Sequence, residues 1–232
     1  MIPSIQRPYD ASAVRSTRHR VLRNTYWLLA LSMIPTVLGA VVGVQFALPV
    51  LRGGIGLVMF LLIAFGFMFA IEKTKNSAAG VPVLLGFTFF MGLMLTPVLR
   101  LTLGYANGPA LIMGAFGGTA VVFAAMATIA TVSKRDFSGM GSWLFAGTIV
   151  LLLASVVNIW LALPALYLAT LVLCVGIFTA WLLFDVQRII NGGETNYITA
   201  TLSVYLDIYN IFSALLQPVS YTHLTLPTIL RV

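Results

Sequence analysis

Two acidic side chains sit where an apolar, membrane-spanning chain has little room for charge. Asp185 lies in WLLFDVQRII and Asp207 in ITATLSVYLDIYNIFSALLQ, each inside a long apolar run. On a helix, Thr199, Ser203, Asp207, Asn210 and Gln217 fall at steps of three, four and seven, with Ala214 completing the row. Those steps keep side chains on one face, so residues 198–217 form a greasy cylinder with one polar stripe. A carboxyl facing acyl chains costs several kcal/mol, so the stripe must face protein or a water-filled cavity.

Asp185 precedes the inner end of its segment by about one turn, and Asp207 lies about ten residues into the next. At a rise of about 1.5 Å per residue, that places Asp207 some 15 Å deep and Asp185 some 5–8 Å deep. The tight Asn191-Gly192-Gly193 turn forces the two helices together, so modest tilt brings both carboxyls to one place. Two carboxyls that meet in a low dielectric cannot both ionise cheaply, and the pair would share a proton near neutral pH. Losing that proton leaves two repelling charges able to bind a cation or push the helices apart, which is a pH switch. Plainer readings stand beside it. Asp185 can pair with Arg188 at i,i+3, and Asp207 can be a protonated carboxyl that only ties helices together. Glu72 reads as a snorkelling interfacial partner of Lys73, Arg100 as an interfacial anchor, and Asp136 as a solvated loop residue.

The elements that position these groups follow from composition. Of 232 residues, 60% are hydrophobic and 8% charged, with a mean hydropathy of +1.02. Soluble domains carry about 25% charged residues, so this is an integral membrane protein. The formal charge of +7 comes from 13 Lys and Arg, which cluster beside apolar segments as orienting charges rather than as a nucleic-acid footprint. The one cysteine, Cys174, lies in an apolar run and forms no intrachain disulfide.

A span needs roughly 20 apolar residues. Seven stretches qualify: 24–46, 53–71, 82–103, 109–132, 141–161, 164–188 and 197–217. Pro82, Pro109 and Pro164 open helices, where a missing N–H costs nothing, while Pro35 and Pro97 should kink the first and third. The connection at Ala162-Leu163-Pro164 makes the fifth and sixth helices antiparallel neighbours. The sequence therefore predicts an all-α seven-transmembrane-helix bundle, with the polar-striped seventh surrounded by the others. Arg7, Arg15, Arg18, Arg20 and Arg23 precede the first span. Lys73, Lys75, Lys134, Arg135 and Arg188 follow the second, fourth and sixth. Arg52, Arg100 and Arg231 fall on the other side. By the positive-inside rule the N-terminus is cytoplasmic and the C-terminus outside. Residues 1–23 read as a cytoplasmic tail rather than a cleavable signal, and 24–217 as the membrane domain. Residues 218–232, PVSYTHLTLPTILRV, break the pattern with a proline and read as a translated cloning or adaptor sequence, so His223 is given no role.

VLRNTYWLL (residues 21–29), GGTAVVF (117–123), LPALYLA (163–169) and GGETNYITATLSVYLDIYNIF (192–212) resemble the Bax inhibitor family of seven-helix membrane proteins. The likeness covers about residues 20–217, and its last stretch is the most specific. The resemblance implies a fold that wraps six helices around a central seventh. Some bacterial members are pH-sensitive calcium leak channels gated by an aspartate pair on the sixth and seventh helices, at the positions of Asp185 and Asp207. The resemblance makes these two the proton-sensing and gating residues and candidate calcium ligands. Ser203, Asn210 and Arg188 are their polar or charged supports. Leak members also use a basic latch residue, for which Lys73 is the candidate here. Another bacterial branch, to which the chain is closest overall, is associated with the membrane protease FtsH as substrate and modulator, through its cytoplasmic tail, here residues 1–23.

Two functions follow as expectations: a proton-regulated calcium leak of the bacterial inner membrane, or a modulator of FtsH without transport of its own. An intramembrane enzyme fits poorly. No histidine lies in a span, HExxH is absent, and no serine is placed with a base. Phe184 and Leu206 precede the two aspartates where an intramembrane aspartyl protease uses a glycine-x-glycine-aspartate context. No nucleotide, haem or dinucleotide motif occurs, so no cofactor is expected beyond calcium as a transported ion.

Overall fold

The computed structural model describes residues 9–46 and 53–225, with side chains described over 18–46, 56 and 58–217. All regular structure among these residues is helical. The helices are α1 (Tyr9–Phe46), α2 (Gly53–Thr74), α3 (Gly80–Met94), α4 (Thr96–Leu103), α5 (Gly108–Val132), α6 (Gly141–Leu161), α7 (Pro164–Ile190) and α8 (Tyr197–Thr225), with one 3-10 turn, Ser138–Met140, before α6. Parts of the expected tail and termini (residues 1–8 and 226–232, with Arg7 and Arg231), the loop at Arg52 and the side chains of Arg15 and His223 lie outside the described residues.

Five of these helices contain a stretch long and apolar enough to cross a membrane, and the bent pair α3–α4 makes a sixth if counted as one span. α2 adds a further apolar helix of 22 residues. Eight helices stand where seven stretches were expected because the third breaks at Leu95 with a bend of 42°. Pro97 enters the first turn of α4, and its ring and missing N–H prevent the ladder of α3 from continuing through it. α1, by contrast, runs through Pro35 as one helix. The hydroxyl of Thr36 donates to Ser32 O at 2.8 Å in the same turn.

α1 also begins well before the hydropathy-defined boundary. Between Pro8 and Pro35 there is neither glycine nor proline, so the polar lead continues as helix into the apolar one, and much of the expected tail is an extension of the first span. At the other end, α8 extends beyond Gln217 to Thr225.

Close packing of α1 on α3 uses glycine on both sides. A Cβ at Gly39 would run into Phe89 O, one at Gly92 into Thr36 O, and one at Gly43 into the Thr96 hydroxyl. The small-xxx-small spacing of Gly39 and Gly43 thus lets two backbones touch. α8 is the most enclosed span: 44% of its apolar stretch is buried, against 11–28% in the other four. It touches α1, α2, α3, α4, α5 and α7, while α6 packs chiefly on α7. The main core gathers around it, with Leu84, Phe87, Leu182, Val186, Ile198, Val204, Tyr205 and Ile211 among its buried members.

Candidate functional site

α8 enters the bundle under tight control. Asn196 caps it, its Oδ1 accepting from the Ile198 N–H at 2.8 Å. The Asn196 amide donates to Lys75 O and to Asn76 Oδ1, each at 2.9 Å. One side chain therefore fixes the start of α8 and ties it to the α2–α3 loop. Deeper in, the Tyr205 and Thr36 hydroxyls bond to each other at 2.9 Å. The Tyr209 hydroxyl donates to Met91 O at 3.2 Å. These bonds lock the rotation of α8 and so aim its polar stripe.

That stripe faces α7. Near its far end Tyr167 of α7 donates to Gln217 Oε1 at 2.6 Å. Midway, the carboxyls of Asp185 and Asp207 lie within hydrogen-bonding reach of each other. They are 8% and 5% exposed, respectively. Two carboxyls placed this way can bond to each other only when one of them carries a proton. Among the described residues, Asp207 Oδ2 is the buried side-chain polar atom without a hydrogen-bond partner. A buried carboxyl oxygen with no partner in the protein is costly unless a proton, a water or an ion meets it.

Other expected site residues are placed as follows. Arg188, one turn from Asp185, acts on it electrostatically, but its guanidinium pairs with Glu194 at 3.6 Å. The plainer reading of Asp185 as simply the ion-pair partner of Arg188 is thus not the arrangement found. Ser203 and Asn210 are half-buried on α8, and the Asn210 amide turns back to Leu206 O at 2.8 Å. Lys73 is not brought to the pair. It is exposed, with its ammonium 4.7 Å from the centroid of the Phe69 ring. The expected Glu72–Lys73 pair is replaced by Glu72–Lys75, because neighbours in sequence point about 100° apart on a helix whereas i and i+3 share a face. Asp136 does more than face water: it accepts from the Ser138 N–H at 2.9 Å, which holds its carboxyl below the usual carboxylate range.

Two contributors escaped the sequence reading. Glu194 holds the α7–α8 turn, its Oε1 accepting from the Thr195 and Asn196 N–H groups at 3.0 Å each. Gln187 is buried, donating to Arg135 O at 2.6 Å and accepting from the Phe137 N–H at 2.8 Å. It pins the α5–α6 loop against α7, two residues past Asp185. Its signal was a lone amide in an apolar run, overshadowed by the neighbouring charges.

Among the described residues no three histidine, cysteine, aspartate or glutamate side chains come together as a metal-holding group. The chemistry available at the site is that of two facing carboxyls with one nearby cation.

The family model described as Inhibitor of apoptosis-promoting Bax1 matches residues 18–221. The protein named Modulator of FtsH protease YccA, from Escherichia coli strain K12, is 40% identical over 209 residues, covering 90% of this chain and 93% of that one. The same figures hold for the Inner membrane protein YccA of Escherichia coli O6:H1. A membrane protein of Vibrio cholerae is 36% identical over 199 residues, covering 86% of this chain and 88% of its own. A match across nearly the whole chain, including α7 and α8, which carry the two aspartates, makes this protein a member of the Bax inhibitor family of membrane proteins.

Proposed function

We propose that the protein is a proton-regulated cation leak of the bacterial inner membrane, with calcium as the transported ion and Asp185 and Asp207 as sensor and gate. The observation that carries the reading is the facing of the two buried carboxyls, with one oxygen of Asp207 left without a partner. With a proton between them the carboxyls hold α7 and α8 together. Without it, two anions in low dielectric repel and draw in a cation with its water. Calcium takes six to eight oxygens, so two carboxylates suit an ion in transit that keeps much of its hydration. Under this reading seven crossings put the N-terminus in the cytoplasm and the C-terminus outside, with six spans around α8, and no covalent chemistry is performed. The test is calcium entry into proteoliposomes at pH values between about 6 and 8, comparing the native chain with Asp207→Asn. A pH-dependent flux that becomes pH-independent in the variant is expected; an identical pH profile in the two would sink the reading.

A second reading is favoured by the 40% identity to a protein named as a modulator of FtsH protease. Here residues 1–23 are the segment the protease grips, and the aspartates fix helix packing only. A protease handle at residues 1–23 is itself compatible with a gate, since the two occupy different parts of the chain; the readings divide only over the role of the aspartates.

A further inference from the structure

Independently of both readings above, we infer that the outer face of α1 holds an anionic phospholipid, with its phosphate between Arg20 and Arg23 and its acyl chains running down past Trp27. Arg20, Arg23, Trp27, Leu31, Ile34 and Leu38 follow one another at steps of three and four along α1, which puts them on one face of the helix. All six are exposed, Trp27 at 73%. α1 turns its other side to α3, α4, α7 and α8, with Val21, Thr25, Leu28 and Leu29 buried there. Arg18 shows the contrast. It stands nine residues before Trp27 and so on the opposite face, against the α7–α8 turn, where a Cβ at Gly192 would sit 2.6 Å from its Nε.

Trp27 fixes the depth. An indole at the end of an apolar face settles at the membrane–water boundary. At about 1.5 Å per residue, Arg23 and Arg20 stand roughly 6 and 10 Å beyond it, at the level of lipid phosphates. Their guanidinium forks, one helical turn apart, suit the bracketing of a single phosphate. The chain offers them no counter-charge: among the described residues neither arginine makes an ion pair. The acids are engaged elsewhere, Glu72 by Lys75, Glu194 by Arg188, Asp136 by the Ser138 N–H, and Asp185 and Asp207 by each other. Asp10 stands ten residues before Arg20, about 15 Å along α1. The counter-charge must therefore come from outside, and the apolar face that begins at Trp27 selects a phosphate carrying acyl chains over a soluble anion. Two unpaired cations also favour a headgroup of net negative charge over a zwitterionic one, whose ammonium offsets its own phosphate.

The test is native mass spectrometry of the full chain released from bilayers of phosphatidylglycerol and phosphatidylethanolamine in equal parts, with the lipids that stay bound counted by class. The native chain should retain phosphatidylglycerol preferentially. Arg20→Gln with Arg23→Gln should lower that preference by roughly fivefold for each arginine removed. Arg20→Lys with Arg23→Lys should fall between the two, since an ammonium keeps the charge but loses the fork. The control is Lys134→Gln with Arg135→Gln, which removes the same charge from exposed residues at the same end of the bundle and should leave the preference unchanged. All these side chains are exposed, so melting temperatures in lipid-free detergent should match that of the native chain. An equal loss in the control pair would reduce the effect to general surface charge and overturn the site, as would a native chain that retains the two lipids alike. Displacement of the bound lipid by inorganic phosphate would mean a free-anion site and would overturn it too.

Discussion

Asp207 and Gln187 show how differently a buried polar side chain can be handled within one bundle. Gln187 satisfies both ends of its amide, on Arg135 O and the Phe137 N–H, and so behaves as a rivet. Replacing it with alanine leaves a backbone donor and acceptor without partners, at about 1–3 kcal/mol. The expected outcome for Gln187→Ala is a lower melting temperature in detergent and faster proteolysis in the 133–138 loop, with the pH midpoint of any flux unchanged. Asp207 has one oxygen with no partner among the protein's own groups, which leaves it open to a proton, a water or an ion, and the proposed gate uses that opening. Asp207→Asn should therefore fold and should abolish the pH dependence of calcium entry, as read in proteoliposomes.

At the scale of elements, the position of the pair depends on helices that cannot slide. α1 and α3 meet backbone to backbone through Gly39 and Gly92, and α8 is hydrogen-bonded to both through Tyr205, whose hydroxyl pairs with Thr36 and also reaches Thr88 O at 3.4 Å. Gly92→Val would push branched carbons into the Thr36 carbonyl, and overpacking of this kind costs about 1–3 kcal/mol. Reduced yield of folded protein and a lower melting temperature are expected, and normal stability would mean that α1 and α3 have room to separate. The α6–α7 connection offers the opposite change. Ala162 closes α6 at φ 48°, a left-handed conformation that costs an L residue about 1–2 kcal/mol. Ala162→Gly should raise the melting temperature slightly, in a position remote from the aspartates.

At the scale of the molecule, the two readings divide the chain between a tail and a gate. Deleting residues 1–15 removes the outer part of the α1 extension, which begins at Tyr9, and leaves Arg18 over the α7–α8 turn. If the tail is the protease handle, degradation by FtsH should slow severalfold in a pulse-chase measurement while the flux profile stays as in the full chain. Unchanged turnover would argue against the handle. Ending the chain after Gln217 should leave the flux unaltered, since among the described residues the polar contacts that orient the stripe run from Asn196 to Gln217 and are kept.

The sequence by itself determined the membrane setting, the apolar segments and the two aspartates. Those depend on local quantities: apolar run length, helical period and the presence of charge in a run. The stripe from Thr199 to Gln217 was legible because a 3.6-residue period puts those side chains on one face whatever surrounds the helix. The same local reading placed the start of the first helix too late and joined α3 to α4, since hydropathy marks where a chain is greasy rather than where its ladder begins or breaks. Only the tertiary structure decided that the stripe faces α7, that Lys75 rather than Lys73 meets Glu72, and that Arg188 pairs with Glu194. Such choices are made across the α7–α8 turn and between helices distant in sequence. There the rotation of each helix is set by packing, and by hydrogen bonds such as those of Tyr205 and Asn196, rather than by any pattern along a single segment.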